Sequence, residues 1–335
     1  MESETKDASV LDPITPAVGR VKRMLFWPFT VRKWLVVAFI AWLVQLGLGN
    51  AWLLSKVFNF DSPKMSYEDL LNIAQDYEHW LAENLPDLQQ RLTDAIEKFM
   101  PLLIGLAIGG AILSLVCVWI RSRSHFLFLN SIARNEARLA DPWRAYSPQG
   151  NSLFLFRLSL AVLSTLTWLP LIGVVFHQFY QMIMGLTVDP NRLWICLICA
   201  MASGFIGLIF VVVNKLTNDF VTPIMAIHGL RCRAAWKEFR SLFSRRWGAF
   251  IIYLLFQILL QGALGVLALL AIPLTCGMVS IPFIGALILL PLLIFNRAYS
   301  LYYLAQFGDD YDIFMENAHT DEEPEIDLGE ADFVD

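Results

Sequence analysis

The chain has 335 residues, 57% of them hydrophobic and 16% charged, with a mean hydropathy of +0.55. A soluble domain carries roughly 25% charged residues, so the apolar excess has to face lipid. The net charge of −5 is segregated: residues 309–335 hold twelve acids and no Lys or Arg, while the basic residues sit beside apolar runs, which argues against a nucleic-acid partner.

Residues 1–33 read as a cytoplasmic segment. Acids, the prolines at 13 and 16 and the lack of a small-residue cleavage site set it apart from a cleavable signal peptide. Its stretch Val21-Lys22-Arg23-Met24-Leu25-Phe26-Trp27-Pro28-Phe29 is basic and aromatic, as suits the headgroup layer. Six apolar runs then reach the roughly 20 residues a helix needs to cross hydrocarbon. They cover about Trp34–Leu54, Met100–Ile120, Leu153–Tyr180, Leu193–Val213, Ala249–Ile272 and Ile281–Leu304. Backbone groups in lipid must be satisfied within the segment, so the runs predict an all-α fold: a polytopic transmembrane helix bundle of about six spans over residues 34–304, with amphipathic interfacial helices between them.

Residues 56–99 form the one sizeable extracytoplasmic loop on this reading. Ser66-Tyr67-Glu68-Asp69 starts a helix there, and Pro86 opens a second one that runs into the next span. A hairpin packed on its own bundle is the preferred reading, with a surface for a partner as the other. Residues 305–335 predict an acidic, disordered cytoplasmic tail, because so few apolar residues cannot offset the entropy of ordering it.

Orientation follows from the positive-inside rule. With the N-terminus inside, twenty Lys and Arg fall on cytoplasmic segments and five outside, which places the protein in a cytoplasmic membrane with both termini in the cytoplasm. Arg231, Arg233, Lys237, Arg240, Arg245 and Arg246 alternate with Leu230, Ala234, Phe239, Leu242 and Phe243 in the last large cytoplasmic connection. Such a helix lies in the interface and attracts anionic lipid at about 1 kcal/mol per basic residue. A Trp-Arg pair at Trp143-Arg144 and a Trp-Lys pair at Trp236-Lys237 each precede a return to the membrane, hinting at a duplicated unit.

Catalytic patterns do not emerge. His79, His125, His177, His228 and His319 are scattered, Cys196-x-x-Cys199 lies inside an apolar run, and no phosphate-binding glycine loop or G-x-S-x-G elbow occurs. No catalytic residue, metal site or cofactor is therefore expected. Polar groups within spans are costly and so informative. Gln257 and Gln261 share a helix face, His177 lies late in the third span, and Asn296-Arg297 lies late in the sixth. Asp219 sits at the mouth of the fourth span, and an ion pair with Arg297 is the expectation this raises, against simple snorkelling of Arg297 to the interface. Gly105-x-x-x-Gly109 has close-packing spacing and leaves the oligomeric state open.

Pro28-Phe29 before Arg32-Lys33-Trp34, Arg121-x-Arg123-x-x-Phe126, Pro142-Trp143 with Asn151-Ser152-Leu153-Phe154, and Asp219-Phe220-Val221-x-Pro223-Ile224-Met225 with Trp236 and Phe239 carry a family resemblance. Across about residues 20–305 the chain resembles an uncharacterised bacterial and archaeal family of six-span membrane proteins. More distantly, it is similar to the membrane domain fused to some glycerophosphodiester phosphodiesterases, although no phosphodiesterase domain is present. The resemblance implies a six-helix bundle and no established activity. The sequence thus points to a non-catalytic integral membrane protein acting in transport, lipid handling or assembly of a membrane complex. Membrane lipids and a membrane-protein partner are its expected partners; a membrane-embedded enzyme acting on lipid is the alternative.

Overall fold

The computed structural model describes residues 8–27, 29–46, 67–185 and 190–314. Among these the chain is helical, without a strand. The helices are α1 (Ile14–Phe26), α2 (Val31–Gln45), α3 (Tyr67–Arg134), α4 (Ala140–Ala145), α5 (Ser147–Gly185), α6 (Pro190–Leu216), α7 (Thr222–Ile227), α8 (Cys232–Arg245), α9 (Trp247–Leu274), α10 (Pro282–Ile288) and α11 (Leu290–Ala305). A π-helical turn at Thr217–Val221 joins α6 to α7. Two compact units result, residues 1–46 with 119–335, and residues 47–118.

Among the described residues, four stretches are long and apolar enough to cross a membrane: Lys98–Arg134, Ser147–Gln178, Asn191–Ile227 and Trp247–Leu274. The pair α10 and α11 makes a fifth span if its 66° bend is counted as one crossing. The chain is a transmembrane helix bundle. For the first expected run, Trp34–Leu54, α2 ends at Gln45 and residues 47–54 lie outside the described residues.

Prolines act differently by position. Pro291 lacks the N–H that would continue the ladder from α10 and its ring crowds the preceding turn, so the sixth run breaks at Leu289. Pro170 is carried inside α5, and Pro86 inside α3. The two-helix expectation for the loop is corrected accordingly: helix continues from Tyr67 through Pro86, whose flanks are strong helix formers. Residues 56–66 lie outside the described residues.

In the smaller unit the described surface of α3 is apolar and open, with Leu102, Ile104, Leu106, Ile112 and Leu113 all exposed. In the larger unit the spans also turn apolar faces outward, among them Leu166, Leu169, Phe176, Phe205 and Leu259. Its core gathers elsewhere, around a group of rings. Phe220 stacks on Phe239 at 5.5 Å and meets Phe250 and Tyr253 edge-on at 5.1 and 4.8 Å. Buried rings of this size dominate packing energy.

The N-terminal segment is docked on this core. Ala17, Met24 and Leu25 of α1 are buried, and Arg20 donates to the carbonyls of Ile132 and Ala133 at 2.7 and 2.6 Å. Those carbonyls belong to the last turn of α3, where no intrahelical donor remains for them. Asn135 follows with φ of 56°, an αL helix stop that Asn tolerates. Ser9 exchanges two hydrogen bonds with the Gln306 side chain, and the Tyr299 hydroxyl donates to the Val10 carbonyl. The start of the expected disordered tail is corrected as well: Ile313 is buried and Phe314 stacks on Tyr302 at 4.4 Å. Apolar residues at 311, 313 and 314 let this stretch pack, whereas residues 315–335 lie outside the described residues.

Candidate functional site

The π turn decides the geometry. One extra residue per turn shifts the helix phase, and such insertions often mark functional sites. Here Thr217, Asp219, Phe220 and Val221 are all buried. The turn is held by its own hydroxyls: Thr217 donates to Val213 O at 2.6 Å and Thr222 to Thr217 O at 2.9 Å.

Asp219 Oδ2 accepts from the Tyr253 hydroxyl at 2.9 Å and pairs with Lys215 Nζ at 2.9 Å, one turn earlier on α6. The neighbouring Asn218 faces two arginines. Its side-chain oxygen accepts from Arg157 Nη2 at 2.6 Å, and its backbone carbonyl accepts from Arg297 Nη1. Arg157 Nη1 also donates to Ser122 Oγ at 3.1 Å. Residues from α3, α5, the π turn, α9 and α11 thus form one polar network.

The expected Arg297–Asp219 ion pair is therefore corrected. Asp219 is paired by Lys215, whose stem leaves the same helix face four residues earlier, and Arg297 reaches the carbonyl one residue away. Nor does Arg297 snorkel, being 7% exposed. Arg157 is equally buried; His125 lies within electrostatic reach of both arginines, and Arg121 within reach of Arg157 and His125. Arg157, Arg121, His125, Asn218 and Tyr253 were not singled out by the sequence. For Arg157 the signal was present, a charge one turn inside an apolar run, and the positive-inside count absorbed it as a flanking residue.

Several of these donors lack partners. Arg297 Nε and Nη2, Arg157 Nε, Arg121 Nε and His125 Nε2 are covered and unbonded. A buried donor without a partner costs about 1–3 kcal/mol, and more when charged.

The other expected polar residues fall in three places. Gln257 and Gln261 both donate to Asn296 Oδ1, at 2.9 and 2.7 Å, joining α9 to α11. His177 is exposed on α5, apart from the network. The basic residues Arg231, Arg233, Lys237, Arg240 and Arg245 are exposed along α8, with Arg246 half-buried beside Phe307. The inward face of α8 is Cys232, Ala235 and Phe239. The Cys232 N–H donates to Ser152 Oγ at 2.9 Å, and burial pushes its thiol up to about 12. Glu238, on α8, is held by His228 Nδ1 at 2.9 Å, and His228 Nε2 meets Asp310 O at 3.1 Å. No group of three metal-ligating side chains occurs among the described residues.

A protein-family model matches residues 8–290, covering every residue of this network but Arg297. The chain belongs to a family of unknown function, DUF7544. No curated protein and no solved structure matches it significantly.

Proposed function

We propose that this DUF7544 member is a non-catalytic integral membrane protein, and that of transport, lipid handling and complex assembly its work is lipid handling. The supporting observation is α8: one face packs on the aromatic core while five exposed basic side chains project from the remainder. An arrangement of this kind sits at a membrane surface and gathers anionic headgroups. On the positive-inside count this face is cytoplasmic, with both termini on the same side of a cytoplasmic membrane.

The alternative of a lipid-acting enzyme would draw on Asp219. Its carboxylate is already held by Lys215 and Tyr253, which suits a fixed counter-charge better than a free base.

Native mass spectrometry of protein exchanged into mixed phosphatidylglycerol and phosphatidylcholine tests the reading. The wild type should retain phosphatidylglycerol preferentially. Replacing Arg231, Arg233, Lys237 and Arg240 together by Gln should reduce that preference about tenfold or more. An unchanged preference refutes it. Orientation is tested separately by labelling Gln75→Cys and Glu325→Cys in a cysteine-free background. An impermeant reagent should reach the first from outside and the second from inside only.

A further inference from the structure

We propose that Arg157 and Arg297 form a built anion site within the bundle that takes a phosphate group. The site is separate from the exposed face of α8 and stands whether or not that face binds lipid.

Three observations carry it. The first is charge: Arg157, Lys215 and Arg297 share a hydrogen-bonded network whose carboxylate, Asp219, is already engaged by Lys215 and the Tyr253 hydroxyl. Buried cations without counter-charge are strongly unfavourable, so a further anion there is stabilising.

The second is the direction of the open donors. Arg297 spends Nη1 on the Asn218 carbonyl and leaves Nε and Nη2 unbonded. Those two atoms form the side edge of the guanidinium, the fork that grips two oxygens of one carboxylate or phosphate. Arg157 is fixed by Ser122 and Asn218 and leaves Nε free on the same network. Both side chains are more than nine-tenths buried.

The third is how the arginines are placed. Asn218 holds one with its amide oxygen and the other with its backbone carbonyl, so the π turn sets their separation. Neutral oxygens orient the guanidinium groups without cancelling their charge, which leaves the charge available to a ligand.

A phosphate could come from a phospholipid headgroup or from solution, and the test separates the two. Delipidated protein in neutral detergent is melted with inorganic phosphate, with sodium chloride at equal ionic strength, with phosphatidylglycerol and with diacylglycerol. Phosphate or phosphatidylglycerol should raise the melting temperature by at least about 3 °C at roughly 100-fold excess over the dissociation constant, while chloride and diacylglycerol should not. A response to phosphatidylglycerol alone assigns the lipid, and a response to both assigns the phosphate group itself. Arg297→Lys keeps the charge and loses the fork, so its affinity should fall about tenfold. Asn218→Asp supplies an anion from the chain. It should raise the basal melting temperature and abolish the response, a result a misfolded variant cannot give. The four α8 substitutions should leave the response intact. Indifference of the wild type to both phosphate sources, as water alone on these donors would produce, overturns the site, as does a full response in Asn218→Asp.

Discussion

Removing the Tyr253 hydroxyl and the Asp219 carboxylate, singly and together, measures what holds the π turn to α9. Tyr253 is fully buried and its hydroxyl donates to Asp219 at 2.9 Å. A hydrogen bond to a charged acceptor is worth about 1.5–3 kcal/mol in soluble proteins, whereas bonds between membrane helices average about 0.6 and reach about 1.7. Lys215, the other partner of Asp219, is 26% exposed, so water reaches that side of the carboxylate and weakens the bond. Tyr253→Phe should therefore cost about 1 kcal/mol, because Asp219 keeps Lys215. Asp219→Ala should cost more, about 3–5 kcal/mol, because it strands the Tyr253 hydroxyl and removes the carboxylate that offsets the surrounding cations. The double mutant should show a coupling of about 1 kcal/mol. Tryptophan fluorescence during unfolding in mixed micelles, titrated with sodium dodecyl sulfate, reads all four proteins. The parallel cycle with Arg297→Ala should couple more weakly, since Arg297 contacts Asn218 and not Asp219. Strict additivity for Tyr253 and Asp219, or a larger coupling through Arg297, would refute this account of the network.

Phe239→Ala removes the ring stacked on Phe220 and should cost about 3–5 kcal/mol in the same titration; a loss under about 1 would show that the stack does not hold α8. Gly285→Ala drives a Cβ into the Val279 carbonyl oxygen and should lower the detergent melting temperature, while Gly109→Ala, with nothing within 4 Å, should leave it unchanged. At pH 8 a maleimide should label exposed Cys276 and spare Cys232 until the protein is unfolded. Because folding raises the Cys232 thiol to about 12, its contribution to stability is fully present below the ordinary thiol range and is lost as pH rises towards 12. Cys232→Ser should flatten that alkaline slope, and an unchanged slope would count against burial as its source.

How much of this was legible in the sequence depended on whether a signal was local. The spans were legible because a run of 20 apolar residues has few soluble alternatives. The Gln257–Gln261–Asn296 contact was half legible: i, i+4 spacing puts both amides on one face, but the partner lies 35 residues from the nearer one. The docking of α1 was not legible. A basic, aromatic stretch reads as interfacial whichever surface it covers, and only the fold brings the α3 carbonyls to Arg20. Prolines were equally ambiguous, since the same ring is carried at Pro170 and breaks the helix before Pro291. What differs is the neighbouring turn, where Gly285 lets the backbone approach Val279 closely and the break is locked by packing.

The buried network poses a sharper question, because polar groups inside an apolar bundle need a reason to be there. A network that served only to fix the helices would be most stable with each charge answered by another from the chain. One more carboxylate, at position 218 itself, would take the bond from Arg157 and bring its charge close to Arg297, which already holds that residue's backbone carbonyl. The residue there is Asn, which bonds the same two arginines and adds no charge. Positioning is thus achieved while electrostatic compensation is not, and the open Nε–Nη2 edge of Arg297 points the deficit in one direction. Asn218→Asp therefore separates the two explanations by the sign of a pair of effects. If the network is purely structural, the added carboxylate should change stability with no effect on any phosphate response. If it is an anion site, stability gained by the variant and phosphate response lost by it must come together, because one carboxylate and one phosphate would answer the same guanidinium groups.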